Sequence, residues 1–184
     1  MKAPLIILRD RKTSTKEFRA TAGKIAGILA KEVLRRLRKD KKEKNIILVP
    51  ILRAGLALLP AFIDTFGEAR VGFLGLKRNE KTFKTKKYYQ NLPKISKTDS
   101  VIVLDPMLAT GGSAVVAIGE LIQAGARERN ISFVGVISAP EGLTNLQKHF
   151  PCVDTVIAVH DEKLDNHGYI VPGLGDFGDR YFGT

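Results

Sequence analysis

Tryptophan is absent from this chain, cysteine occurs once, at Cys152, and methionine only twice. A single cysteine excludes an intrachain disulfide and fits a reducing compartment. Lying just ahead of an apolar run, Cys152 reads as a small buried hydrophobe rather than a catalytic thiol. Long apolar runs are missing too. The N-terminal one, residues 5–8, falls far short of a signal-peptide core, and nothing approaches the ~20 residues of a membrane span, so a cytoplasmic protein is expected. Internal repeats, low-complexity tracts and linkers are also lacking, so residues 1–184 read as a single domain. A chain of that size can bury roughly 70% of the surface its unfolded form exposes.

Acids are the scarce charge: 19 Asp and Glu stand against 30 Lys and Arg, a net charge of +11. That balance admits nucleic acid, anionic lipid or a phosphate-rich small molecule as partner without choosing among them. Residues 35–44 hold seven bases and two acids, which suits the solvated C-terminal end of a helix. Residues 77–90 hold six bases and one acid.

What the chain does contain is alternation of apolar runs with helical patterns. Ser14-Thr15-Lys16-Glu17 forms an S-x-x-E capping box ahead of Phe18, Ala22, Ile25, Leu29 and Val33, spaced three or four apart. The spacing predicts a long amphipathic helix over 14–39. Strands are expected at 45–49, 71–76, 100–104, 131–137 and 153–159, and helices at about 55–66, 113–124 and 142–149. Near-continuous Val and Ile runs indicate strands covered on both faces, hence an open α/β fold with a mostly parallel sheet flanked by helices. Ligands in such folds bind beyond the carboxyl ends of the strands.

The most informative stretch is VIVLDPMLATGGSAVVAIGELI, residues 101–122. A hydrophobic strand delivers Asp105 at its tip, and Ala109-Thr110-Gly111-Gly112-Ser113 then feeds a helix. Adjacent glycines let backbone N–H groups converge on one point, and the helix start adds positive potential, so the loop reads as a phosphate cradle. Thr110 and Ser113 offer hydroxyl donors, with Ser113 also a plausible N-cap. No G-K-[ST] ending follows, which separates this loop from that of the P-loop NTPases.

These residues resemble the binding motif of type I phosphoribosyltransferases, with Pro106 in place of the usual second acid. Asp105-Pro106-Met107-Leu108-Ala109-Thr110-Gly111-Gly112-Ser113 is similar to the version found in the uracil phosphoribosyltransferase family. PILRAG at residues 50–55, RNE at 78–80 and GYIVPGLGDFGDRYFGT at 168–184 support the match in the family's order. The resemblance implies the type I phosphoribosyltransferase fold with a C-terminal hood at about 160–184 and a flexible basic flap at 77–94. It implies transfer of the 5-phosphoribosyl group of 5-phosphoribosyl 1-diphosphate to uracil N1, giving UMP and diphosphate. The 5′-phosphate would lie on the loop from Ala109 to Ser113, with Pro106, Met107 and Leu108 alongside. The ribose hydroxyls would lie on Asp105, and the diphosphate on Arg53 and Arg78, with Mg²⁺ travelling on it. Ile170, Gly175, Asp176 and Phe177 would form the uracil site, Asp176 also reaching the phosphoribosyl group. A homo-oligomer, dimer or tetramer, is expected, and a nucleotide effector such as GTP is admitted.

The hexapeptide GLGDFG, residues 173–178, also spells a dinucleotide-loop spacing and a kinase D-F-G. It follows Val171-Pro172 rather than a strand and leaves no room for a βαβ unit, so both matches are accidental. Its glycines instead let the backbone press against a flat ligand. Uracil's edge alternates acceptor, donor, acceptor, which main-chain groups can pair with, whereas cytosine reverses the last two. His149 and His160 read as structural and His167 as a neighbour of the base site. None is assigned as a general base, since uracil N1 is fairly acidic and the ribosyl carbon can ionise early. Two departures from the family stand out. Residues 38–45 leave no length for the usual hairpin that packs on a partner subunit, and Phe177 replaces a small residue, which would narrow the base pocket or shift its loop. Rival readings are an RNA-binding regulator on the same scaffold, drawing on the +11 charge, and a phosphoribosyltransferase for another base.

Overall fold

The computed structural model describes residues 2–78 and 85–184. The chain opens with α1 (Lys2–Arg9), which the sequence reading did not foresee, and continues into α2 (Thr15–Lys39). Ser14 caps α2, its Oγ accepting the Glu17 N–H at 3.3 Å; one of the donors left unpaired at a helix start is thereby satisfied. Phe18, Ala22, Ile25, Leu29 and Val33 form the buried stripe of α2, and each large side chain so buried contributes about 1.5–3 kcal/mol. Residues 40–45 then turn directly into β1 (Ile46–Leu52), with Lys41 and Asn45 at φ 56 and 53. No strand lies between α2 and β1, in keeping with the short segment at residues 38–45.

A 3₁₀ turn (Ala54–Ala57) and α3 (Leu59–Thr65) occupy the helical segment expected after β1. There follow β2 (Arg70–Val71), β3 (Phe73–Arg78), β4 (Thr85–Asn91), β5 (Ser100–Leu104), β6 (Met107–Leu108) and α4 (Gly112–Gln123). The chain ends with β7 (Ile131–Ser138), α5 (Pro140–His149), β8 (Asp154–His160), β9 (Lys163–Leu164), β10 (Ile170–Val171) and α6 (Phe177–Phe182). The main sheet runs β4-β3-β1-β5-β7-β8, parallel except for the antiparallel pairing of β3 with β4.

The central strands β1, β5 and β7 are covered on both faces, which is why they lack in-out alternation. Ile47, Val49, Val101, Val103 and Phe133 pack with Ala117, Ile118 and Leu121 of α4. Their neighbours Ile46, Leu48, Ile102 and Leu104 pack with Phe18, Ile25 and Phe62 of α2 and α3. From β1 the chain moves outward to β3 and β4, and from β5 outward the other way to β7 and β8. The order therefore reverses between β1 and β5, and the crevice beyond their carboxyl ends is where such folds hold ligands. A Cβ on Gly55, after β1, would overlap the Leu104 carbonyl that ends β5, so the two strand ends are closely apposed. Among the described residues, no helix is long and apolar enough to cross a membrane.

Candidate active site

Asp105 interrupts the strand line at that crevice. Its N–H donates to Val134 C=O at 3.1 Å, while the Pro106 carbonyl accepts from Val136 and Ile137, and pairing resumes as β6 against Ile137 and Ser138. The carboxylate Oδ1 accepts the Met107 N–H at 3.4 Å. Asp105 keeps a partial opening to solvent, yet its carboxyl is closely surrounded. Burial pushes its pKa up, the Met107 N–H draws it part of the way back, and the negative charge of Asp176 pushes it up again, to about 7. The two acids expected to share a ligand are thus close enough to feel each other across the crevice.

The loop after β6 turns at Gly111, whose φ of 78 suits a residue without a Cβ. Helix α4 begins at Gly112, with Gly111 as its N-cap and no side-chain capping bond. The expected cap at Ser113 is therefore corrected: Ser113 lies inside the first turn, because the glycine turn has already redirected the chain at Gly111, two residues earlier. Asn145 of α5 braces the loop by donating from Nδ2 to the Thr110 carbonyl at 2.8 Å. Gly142 lies so close that a Cβ there would strike the Ala109 carbonyl and come within 2.6 Å of that of Leu108. Sequence reasoning passed over both residues, although they follow the carboxyl end of β7, where the fold directs attention. The Thr85 hydroxyl is buried 3.3 Å from where a Gly112 Cβ would sit and has no hydrogen-bond partner among the described residues.

Arg53 follows β1 through a cis Leu52–Arg53 peptide. Its Nη2 donates to Asp179 Oδ1 at 3.1 Å, and its guanidinium lies 5.8 Å over the Phe182 ring. Both groups of the ion pair are more than half exposed, 58% and 51%, so the contact contributes about 1 kcal/mol at most. Arg78 ends β3, its backbone pairing with Thr85. Its side chain, with Asn79, Glu80 and the basic flap's residues 81–84, lies outside the described residues.

The C-terminal segment completes the crevice. Ile170 and Leu174 are buried, and Gly173 and Gly175 take φ of 64 and 79. Asp176 caps α6, its Oδ1 accepting the Asp179 N–H at 2.9 Å. Among the described residues, neither the N–H nor the C=O of Gly175 has a hydrogen-bond partner. Phe177 requires a correction. Its ring is fully buried, edge-on to Phe18 at 5.1 Å and stacked with Tyr181 at 6.2 Å. It does not narrow a base pocket, because the large apolar side chain gains more by joining the core than by facing a polar ligand. Only its main chain is left for a base. Cys152 is likewise corrected: it is exposed, in the turn before β8. His160 Nδ1 and Ser138 Oγ are hydrogen-bonded at 2.7 Å, and His149 Nδ1–H donates to the Asn145 carbonyl at 2.9 Å, so both rings are engaged in local structural contacts. Among the described residues, His167 makes one hydrogen bond, its N–H donating to Asp165 Oδ1 at 2.9 Å.

Against this geometry, the family model for uracil phosphoribosyltransferase matches residues 38–184. A uracil phosphoribosyltransferase of Finegoldia magna is 44% identical, covering 100% of this chain and 94% of its own. That of Bacillus licheniformis is 46% identical, covering 98% and 92%. A solved Aquifex aeolicus protein superposes with a TM-score of 0.90 at 37% identity, over 98% of this chain and 93% of that one. A hypoxanthine-guanine phosphoribosyltransferase of Bacillus anthracis, at TM-score 0.57 and 14% identity over 80% of each chain, shares the fold alone.

Proposed function

Since the chain belongs to the uracil phosphoribosyltransferase family, we propose that the crevice residues divide the work of its reaction between holding the phosphoribosyl group and reading the base. The enzyme joins uracil N1 to C1 of 5-phosphoribosyl 1-diphosphate, forming UMP and releasing diphosphate, the pyrimidine-salvage reaction. The observation that carries the assignment of roles is Asp105 at the tip of β5, coupled to Asp176 and followed by the glycine turn into α4.

The breaking bond leaves negative charge on the diphosphate and positive charge on the ribose, so placement of fixed charges dominates. N–H groups from Ala109 to Ser113 hold the 5′-phosphate, with Pro106, Met107 and Leu108 shaping its floor. Asp105 accepts the ribose hydroxyls and favours the developing cation. Arg53 leaves Asp179 for the diphosphate, joined by Arg78, because a guanidinium fork matches phosphate oxygens. Uracil lies against main-chain groups of Ile170, Gly175 and Phe177, with Asp176 bridging base and ribose. The N1 proton leaves to solvent as the new C–N bond forms.

Among the described residues no cluster of three metal-ligating side chains stands ready. Asp105 and Asp176, two carboxylates whose charges oppose one another, fit a Mg²⁺ ion held mainly by diphosphate oxygens and water. When bound, that ion supplies neutralisation of the leaving group. Exposed Tyr88 and Tyr89 on the edge strand β4 support a homo-oligomer as the working form.

The test incubates the pure protein with 5-phosphoribosyl 1-diphosphate, Mg²⁺ and each nucleobase in turn. UMP formed from uracil alone is the expected result, because each unpaired buried polar group costs a mismatched base about 1–3 kcal/mol. Nucleotide formed from another base at a comparable rate overturns the base assignment. The relatives favour neither the RNA regulator nor an enzyme for another base. A second prediction concerns Gly142. An alanine there must displace the Ala109 and Leu108 carbonyls, at about 1–3 kcal/mol of stability. The KM for 5-phosphoribosyl 1-diphosphate is expected to rise about 10-fold, and unchanged kinetics in Gly142→Ala would detach α5 from the phosphate loop.

A further inference from the structure

Gly173 has both of its main-chain groups taken by one pair of side chains. Asp161 Oδ2 accepts the Gly173 N–H at 2.7 Å, and Arg9 Nη1 donates to the Gly173 carbonyl at 2.8 Å. The same arginine closes the cycle by pairing with Asp161, Nη1 to Oδ2 at 2.8 Å and Nη2 to Oδ1. Asp161 is 8% exposed. Burial alone would raise its pKa, but Arg9 and the Gly173 N–H outweigh burial and hold it below the ordinary carboxylate range. A second arginine fixes the next peptide: Arg180 Nη1 donates to the carbonyls of Leu174, at 2.7 Å, and Leu8, while Nη2 donates to that of Asp10 at 2.7 Å. The Arg180 guanidinium lies 4.4 Å over the Phe18 ring. Both arginines are thus tied at several points at once, which fixes the loop they hold.

Two contrasts give this lattice a purpose. First, Gly173 is saturated while Gly175, two residues on, has no hydrogen-bond partner among the described residues. The bracket therefore sets the direction in which Gly175 presents its N–H and C=O. Second, a Cβ on Gly173 would overlap the Ile170 carbonyl, and its φ is 64, so the chain there has one conformation to be held in and no side chain to hold it with. Packing from outside must supply the constraint, and α1 supplies it, from a segment that precedes the family match at residue 38.

We infer that Arg9 and Asp161 are positioning residues for the base: together they clamp Gly173 so that the following main-chain groups match the acceptor-donor-acceptor edge of uracil. The inference rests on residues 170–177 being the uracil site. Neither side chain touches substrate. Their effect passes through one peptide to the next, so it falls on uracil and leaves the phosphoribosyl site alone.

The experiment measures KM for each substrate, kcat and thermal unfolding for wild type, Arg9→Gln, Asp161→Asn and Arg9→Lys. Both neutral variants are expected to raise KM for uracil about 10-fold, the loss of roughly one well-aligned hydrogen bond. KM for 5-phosphoribosyl 1-diphosphate should stay within about 3-fold, because the loop before α4 is untouched. Arg9→Lys keeps a cation for Asp161 but loses the fork that also reaches Gly173, so it is expected to unfold near the wild-type temperature and still raise uracil KM by about 3-fold or more. Equal shifts in both KM values, or a lowered unfolding temperature with uracil KM unchanged, overturn the positioning role. Wild type that makes no UMP brings down the base site as well, whereas active wild type with unaffected variants brings down this inference alone.

Discussion

Replacing Asp105 by asparagine is expected to lower kcat/KM at least about 100-fold while making the unliganded protein more stable at pH 8. The first effect follows from losing one preorganised charge beside a developing cation; asparagine keeps the shape but also turns a donor toward ribose hydroxyls that need an acceptor. The second follows from the raised pKa. An unfolded chain gives up this proton near the ordinary 3.8 and the folded chain near 7. Between those values the folded state binds more protons, so stability falls as pH rises, and above pH 7 the full deficit remains. The Asp105→Asn variant avoids it, for a gain of about 1–3 kcal/mol at pH 8 and almost none near pH 4. Urea unfolding of both proteins at the two pH values measures this, and a variant less stable than wild type at pH 8 contradicts the burial of the charge. The same ionisation tests the expectation that no general base is needed. kcat/KM follows the free enzyme and is expected to rise with pH through about 7. kcat follows the bound complex, where Arg53 and the cation on the diphosphate favour the Asp105 anion, so that step should disappear from it. An essential base would have to show in kcat.

Arg53→Ala is expected to cost about as much in kcat/KM, at least about 100-fold, by removing a guanidinium from the leaving diphosphate. It should do so with little change in unfolding temperature, because the ion pair it breaks is exposed on both sides. That combination is diagnostic: a residue present for stability loses stability first. Arg53→Lys should recover only part of the activity, since an ammonium provides charge without the planar fork. Steady-state kinetics beside a thermal melt decide the matter, and unchanged kinetics in Arg53→Ala would take the residue out of the site.

The central half of the molecule was legible because local and global signals agree there. The capping box at Ser14, the Val and Ile runs of β1, β5 and β7, and the acid-glycine-helix unit at Asp105 each name their own structure, and burial on both faces leaves them no alternative. What stayed hidden depends on distant partners. The run at residues 5–8 is too short to announce α1, which is held by Asp161, Gly173 and Arg180 from the far end of the chain. β4 reads as a charged loop because its residues are exposed at a sheet edge, where lysines are favoured and alternation is not required. Phe177 looked like part of the base pocket because nothing local tells a ring which way to turn; Phe18, on another element, decides it. The glycines near the C-terminus read as pure loop, although Asp176 and Gly183 cap a short helix between them.

The pairing of α1 with the C-terminal segment also sets an order of events during synthesis. Arg9 emerges first from the ribosome, but the residues it binds, Asp161 and Gly173, lie 152 and 164 positions downstream. At about 5–20 residues per second, the first helix waits on the order of 10–30 seconds for its docking partners. This clasp therefore cannot close until the chain has been made through Gly173.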